Sequence, residues 1–489
     1  MSNINVELLP KLPKEVVEGI EGFKLDAYLI ALEGWRRGLK LTWYKESVDH
    51  LKLAMKSGNM TLGKHFSLSS NTTTHHFFCS RGDKVANEAY RICQDKKETQ
   101  RIISDKGVPV TGGELFKIVD KSIYDYAEKI GFPVVIKPAN GTMGRGVYTN
   151  IKDSEALSNA IEDFKKRYSY KEILVEKHFF GDEYRIYVVG DKVIGATNRV
   201  PANIQGDGSH TISELIELKN KERLENPYLK SKPIKVDYEI ELTLKELGLT
   251  TDSIPGKGET ISMRKVSNLS AGGDPLDYTD ELTDEVKQIA VDGVNALPSI
   301  PQAGIDVIVN PDDNKKGNIL EVNGTAEIAF HMFPWNGKAR DVSGAIVDYY
   351  FPETIDAEKS TWYFDYPSVL EPLRTSAAEE VAIARAPLSS RLYAKRFVVK
   401  GKVMKVGYMS YIRRQALKRN LHGYVRKIGR NSIEVIVSGE DEAVLENFNK
   451  VCNRGSKKSK VESVEETDIS VDSRTFKLGF QIVLSNKNE

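Results

Sequence analysis

Cysteine is scarce: Cys79, Cys93 and Cys452 stand far apart and in no C-x-x-C spacing, which excludes a disulfide framework and a thiolate zinc site. Histidine offers no replacement. The eight histidines show no ligand spacing, and the one adjacent pair, His75-His76, lies in the polar run SSNTTTHH, where solvated rings are expected. No stretch approaches the roughly 18 apolar residues of a membrane helix. The opening MSNINVELLPKLPKE also lacks a charged-then-apolar leader pattern, so a cytoplasmic chain with no membrane partner is expected. Low-complexity tracts and fixed-period repeats are missing too.

What remains is ordinary in amount and uneven in placement. The chain has 489 residues, 40% hydrophobic and 28% charged, enough for about three domains with sizeable cores. A net charge of +1 conceals an asymmetry: Arg391 to Glu489 holds 21 Lys and Arg against 11 Asp and Glu, an excess of +10, leaving 49 against 58 elsewhere. Such polarity marks a separate basic domain that meets an anionic partner.

Periodicity supplies the organisation. Residues 26–45 run from helical spacing into the strand-like LTWY, and 89–110 read as a helix ended by Gly107 and Pro109, followed by the strand ELFKI. A helix, the strand PVVIKP, a glycine-rich turn and another strand occupy Tyr124 to Asn150. Helix 154–167 precedes strand ILVEK, with YRIYVV and KVIGATN as further strands. Residues 353–390 are polar and carry prolines, and they are taken as a linker.

Three stretches carry chemistry. GIDVIVNPDDNKKGNILEVNGT (304–325) reads as a hairpin that brings Asp306 near Glu321, with Glu321 and Asn323 on one face. Two carboxylates and an amide oxygen suit a hard cation such as magnesium, although solvated strand ends would look the same. In FPVVIKPANGTMGRGV a buried strand delivers Lys137 beside Gly141, Gly144 and Gly146, which reads as a phosphate grip or as a plain hairpin turn. It is not a Walker pattern, because the lysine precedes the glycines. ILVEKHFFGDEYRIYVV offers backbone edges at Glu176-Lys177, an apolar wall and Glu183 for a hydroxyl pair; the ring of His178 has no role there.

Taken in order, V-x-K-P-x-x-G-x-x-G-x-G, V-E-K-x-x-x-G-x-E, G-I-D and E-x-N resemble the ATP-grasp fold of carboxylate–amine ligases. With RVPANIQGDGSHTISELIELKN, ISMRKVSNLSAGGDPLDYTDEL and HMFPWNGKARDV, the stretch from about Glu88 to Pro352 is similar to cyanophycin synthetase ligase domains and to the glutathione-synthetase half of fused glutathione enzymes. The resemblance implies ATP and magnesium, as two ions with manganese as a substitute. Lys96, Lys137, Gly144 and Gly146 would hold phosphates, Glu176 and Lys177 would face adenine, and Glu183 the ribose. Asp306, Glu321 and Asn323 would hold metal. Arg199 and Arg264, with Lys137, would serve the reacting centre, and Arg199, Asn268, Ser270 and Gly272 the acceptor region. A carboxylate and an amine are the implied substrates.

The last part, RLYAKRFVVKGKVMKVGYMSYIRR through NFNKVC (391–452), resembles an acylphosphatase domain, but Met409 stands where that family has its phosphate-binding arginine and Lys427 where it has its catalytic asparagine. The expected architecture is α/β and α+β. A small α/β domain (1–88) precedes an ATP-grasp domain (89–352), a linker (353–390) and a ferredoxin-like acylphosphatase-type domain (391–489), inactive as a phosphatase and docked on the acidic body. Self-association is left open. The competing reading is a nucleotide-binding protein whose decayed ligase fold serves a basic module that docks nucleic acid.

Overall fold

The computed structural model describes residues 12, 16–45, 62–138, 146–264, 266–388, 392–471 and 476–483. The helix α1 (Phe23–Arg36) is buried on nearly every side, as a helix apolar around most of its circumference must be. Against it lies an antiparallel sheet of β1 (Lys40–Tyr44), β2 (His65–Ser69), β3 (Thr74–Phe78) and β4 (Arg81–Gly82), whose core includes Trp35, Trp43, Phe66 and Phe77.

The expected helix over 89–110 is two helices, α2 (Asn87–Gln94) and α3 (Lys96–Asp105), because Asp95 turns extended and caps α3 by accepting from Glu98 N at 3.1 Å. A four-stranded sheet in the order β5-β8-β6-β7 follows, from β5 (Glu114–Lys117), β6 (Val134–Pro138), β7 (Tyr148–Ile151) and β8 (Glu172–Lys177). It is packed by α4 (Ser122–Ile130) and α5 (Ser154–Arg167) through Ile123, Leu157, Ile161 and Phe164. Next come β9 (Asp182–Val189) and β10 (Lys192–Val200). A small insert then pairs β11 (Asn203–Gln205) with β12 (Thr260–Ser262), and β13 (Asp274–Asp277), β14 (Gln302–Asn310) and β15 (Asp313–Asn323) complete a five-stranded sheet in the order β13-β10-β9-β14-β15. One face of that sheet is apolar: Ile186, Val188, Ile305, Val307 and Val322 pack under the helix Asp284–Asn295.

The linker expected over 353–390 is instead part of the first module. Its β16 (Tyr363–Phe364), helix Tyr366–Arg374 and β17 (Glu380–Ala382) are built on an apolar cluster, WYFDY, embedded among polar residues and prolines. The ring of Phe364 packs 4.8 Å from Tyr28 and 5.5 Å from Trp35, Trp35 Nε1 donates to Ala384 O at 2.7 Å, and β17 extends the first sheet by pairing with β1.

The C-terminal domain is a sheet in the order β21-β18-β20-β19-β23, from β18 (Tyr393–Lys402), β19 (His422–Lys427), β20 (Ser432–Gly439), β21 (Lys460–Ser470) and β23 (Phe480–Val483). Just before β23, β22 (Lys477–Leu478) pairs with β16, so one short segment belongs to two sheets in two domains. Leu478 is buried in the N-terminal core and Phe480 in the C-terminal one. Arg413 adds an ion pair to Glu371 at 2.6 Å. These contacts run to the N-terminal module.

Candidate active site

The polar face of the central sheet is organised by register. Arg185 on β9 stands opposite Asp306 on β14, and Asp306 opposite Glu321 on β15; cross-strand partners share a face, so the three side chains form a row. A β-bulge lies beside it: Asp306 pairs with Glu321 but Val307 with Ile319, leaving Leu320 as the extra residue. Asp306 is 3% exposed and is gripped at both oxygens by Arg185, with Arg185 Nη2 at 2.8 Å from Oδ2. Arg199 Nη2 adds a contact at 3.2 Å and also meets Glu183. Burial pushes the Asp306 carboxyl up, but the Arg185 and Arg199 guanidiniums more than reverse this and hold it well below the ordinary carboxylate range.

Helix α3 joins this row to the second sheet. Lys96 and Gln100 lie one turn apart on one face, four residues being close to a helical period. Lys96 Nζ lies 3.1 Å from Glu321 Oε2. Gln100 Nε2 contacts Glu176 Oε1 at 3.1 Å, Thr111 Oγ1 at 3.0 Å and Leu320 O at 3.1 Å. Lys137 Nζ sits 2.6 Å from Glu176 Oε2, both side chains nearly buried. The motifs of the two sheets therefore meet through α3, and Gln100, which no motif marked, is the bridge.

The expected residues divide into those brought together and those placed elsewhere. Lys96, Lys137, Glu176, Glu183, Arg199, Asp306, Glu321 and Asn323 converge on the two sheets and α3. Lys177 turns away, donating to Gly131 O at 2.7 Å and Phe132 O at 3.1 Å. Gly141 and Gly144 lie outside the described residues; Gly146 has φ +76° and an added Cβ would press on Pro138 and Phe164. Arg264 is held by Glu239 and by Asp237 at 2.7 Å, and its Nε donates to Ala271 O at 3.2 Å. Its described contacts thus lie with Asp237, Glu239 and the 268–272 loop and not with the row. In that loop Asn268 Oδ1 accepts from Ser270 N at 2.9 Å, Ser270 is exposed, and Gly272 has φ +95°. Gly273 packs against Val200 O, which seats the loop at the end of the strand carrying Arg199.

The donor chemistry fits a hard cation at Glu321 and Asn323, whose side chains touch through Asn323 Nδ2 donating to Glu321 Oε1 at 3.1 Å and share the face of Asp306. Asp306 differs from expectation. Its oxygens are already taken by two guanidiniums, so it would join a metal only by exchanging one of those contacts. Among the described residues no group of three His, Cys, Asp or Glu side chains is placed to hold a metal alone.

Sequence reasoning missed a buried carboxyl from the first module. Asp26 on α1 is fully buried, and its Oδ1 accepts from Ile328 N and Ala329 N, both at 3.0 Å, in the turn that follows Asn323. Burial, and then repulsion from Glu327, push this carboxyl up to about 8. It reads as one more helical residue in sequence; only the fold brings it to this turn.

Residues 95–196 match the family described as carbamoyl-phosphate synthase L chain, ATP binding domain, and residues 395–482 match acylphosphatase. The chain carries an ATP-grasp ligase domain with an acylphosphatase-like domain behind it. Its relatives narrow the class. The glutathione biosynthesis bifunctional protein of Mannheimia succiniciproducens is 30% identical over 354 residues, covering 69% of this chain and 44% of that protein. The cyanophycin synthetase of Crocosphaera subtropica is 34% identical over 274 residues, covering 54% and 31%. A bifunctional glutathione synthetase from Pasteurella multocida, solved as a crystal structure, is 27% identical with a TM-score of 0.49, covering 62% of this chain and 42% of that one. The ligase domain is related to these ATP-dependent ligases, and the chain spans less than half the length of either curated relative. Among the described residues no helix is long and apolar enough to cross a membrane.

Proposed function

We propose that the chain is an ATP-dependent carboxylate–amine ligase that forms an amide or peptide bond through an acyl phosphate. The observation that carries this reading is the bridge made by α3, which sets Lys96 on Glu321 and Gln100 on Glu176, beside Lys137. Two cations and two carboxylates are thereby gathered where α3 joins the two sheets, as a polyphosphate with its counter-ion requires.

In this reading Lys96 and Lys137 exchange their carboxylate partners for phosphate oxygens, and Gly144 and Gly146 are further phosphate-binding residues. Glu176 and the Lys177 backbone border the adenine, and Glu183 takes the ribose. Glu321 and Asn323, with Asp306 behind them, would hold the magnesium, which when bound offsets the repulsion between phosphate and incoming carboxylate. A carboxylate oxygen attacks the γ-phosphorus, the bond to the β-phosphate oxygen breaks and ADP leaves. The amine nitrogen then attacks the acyl carbon, phosphate departs and the nitrogen sheds its proton. Arg199 is the fixed cation beside the transferring group, its planar fork presenting several donors at once. Arg264, Asn268, Ser270 and Gly272 shape the acceptor side.

Release of ADP and phosphate is expected to require a carboxylate, an amine and magnesium together, measured by coupled assay against a panel of amino acids and short peptides. ATP hydrolysis at full rate with neither substrate present would sink the ligase reading and favour a nucleotide-binding role.

The C-terminal domain is proposed to have no acylphosphatase activity. Met409 packs partly buried against the domain core and Lys427 is exposed at the end of β19, so neither supplies the guanidinium or amide that such hydrolysis needs. Benzoyl phosphate should survive incubation with the full chain at its spontaneous rate. Enzyme-dependent hydrolysis of benzoyl phosphate by the full chain would overturn this assignment.

A further inference from the structure

The turn 324–329, which leaves β15 directly after Asn323, is held from outside the ligase sheets. Asp26 Oδ1 accepts from Ile328 N and Ala329 N, while Asp26 Oδ2 is buried with no partner among the described residues. Ser80, fully buried between β3 and β4, donates from Oγ to Ala326 O at 2.5 Å. Both grips come from the first module, Asp26 from α1 and Ser80 from its sheet. Glu327, within the turn, is met from the insert: Tyr228 Oη donates to its Oε2 at 3.0 Å, and Lys232 Nζ lies 3.8 Å from its Oε1.

A further contact ties the turn to the strands that carry the metal candidates. Ala326 packs on Gly304, where an added Cβ would fall 2.5 Å from Ala326 Cβ, and Gly304 is the register partner of Asn323. A shift of the turn therefore does not stay in the turn, because close packing passes it to Gly304 and to the end of β15. Burying a carboxyl in a helix as apolar as α1 is costly unless it is bonded, and both hydrogen bonds of Asp26 go to this turn.

We propose that Asp26 and Ser80 are positioning residues for the magnesium set: they hold the turn 324–329 and through it fix where Glu321 and Asn323 present their oxygens. The first module thus acts on the site without touching nucleotide, metal or substrate. The inference rests on the reading of Glu321 and Asn323 as metal ligands and goes beyond it in giving the N-terminal module a task in metal binding. What the turn takes from Asp26 is an acceptor and not a charge, since burial keeps this carboxyl neutral at pH 7. An amide of the same shape supplies the same acceptor.

The test is ADP binding to the full chain, measured by isothermal titration at pH 7 with and without magnesium, at a temperature where the chains are folded. The parent is compared with Asp26→Asn, Asp26→Ala and Ser80→Ala. Magnesium should tighten ADP binding by the parent. Asp26→Ala and Ser80→Ala should each lose roughly tenfold of that tightening, the scale on which outer partners of metal ligands act, while metal-free ADP binding stays within about twofold of the parent. Asp26→Asn should keep the tightening. A role in stability alone would lower Tm and leave the ratio of the two binding constants at the parent value, and that result overturns the proposal. Asp26→Asn behaving like Asp26→Ala, or an equal loss of metal-free binding, overturns it as well. If Asp26→Ala does not fold, Ser80→Ala, which removes one hydroxyl, decides. A parent without any magnesium effect would sink the metal reading of Glu321 and Asn323 and this inference with it, whereas a responding parent with equally responding variants sinks this inference alone.

Discussion

Replacing Glu321 or Asn323 by alanine is expected to lower turnover by on the order of a hundredfold or more, with the fold retained. Glu321 is the residue through which Lys96, Asn323 and, at 4.0 Å, Arg185 are linked, and its side chain is 29% exposed. Truncation there opens no cavity in the apolar layer under the sheet, so circular dichroism and Tm should stay close to the parent. Near-normal rates at saturating magnesium in either variant would show that these oxygens do not hold the cation.

Asp306→Ala should behave differently, and the contrast separates a ligand from an anchor. Its carboxylate neutralises Arg185 and Arg199, whose side chains are 10% and 17% exposed, so its removal strands two guanidiniums in a largely dry site. Breaking a buried pair in this way costs about 3–5 kcal/mol. A fall in Tm of several degrees is expected along with loss of activity, whereas Glu321→Ala loses activity alone. Asp306→Asn, which keeps two polar atoms but no charge, should fall between. If Asp306→Ala unfolded at the parent temperature, the guanidiniums would have found other partners and the anchoring role would be wrong.

The contrast also marks what was legible in the sequence. Period-two alternation and the polar turn revealed the 304–325 hairpin and even the Asp306–Glu321 pairing, because hairpin register is a local property. Lys137 and Glu176 were legible as motif residues. Their contact with each other was not, since it depends on the pairing of β6 with β8. Arg185 looked like a polar residue within a strand, and only the neighbouring β14 makes it the partner of Asp306. Gln100, Asp26, Lys232 and Glu327 carry no motif, and their partners lie tens to hundreds of positions away. The misread linker has the same cause: WYFDY is a short apolar island, and nothing local says that it completes the core around Tyr28 and Trp35.

The strand pair that ends the described chain has a consequence for synthesis. The core around α1 takes Phe364 from the middle of the chain and Leu478 from near its end, so a nascent chain exposes Trp35, Trp43 and Tyr28 without their final neighbours through most of translation. The ligase sheets close from residues nearer in sequence, while this core and the ferredoxin-like sheet both wait for the same late segment, residues 477–483. Premature termination anywhere before residue 477 would leave that core open, and the product would expose aromatic surface of the kind that chaperones and proteases recognise.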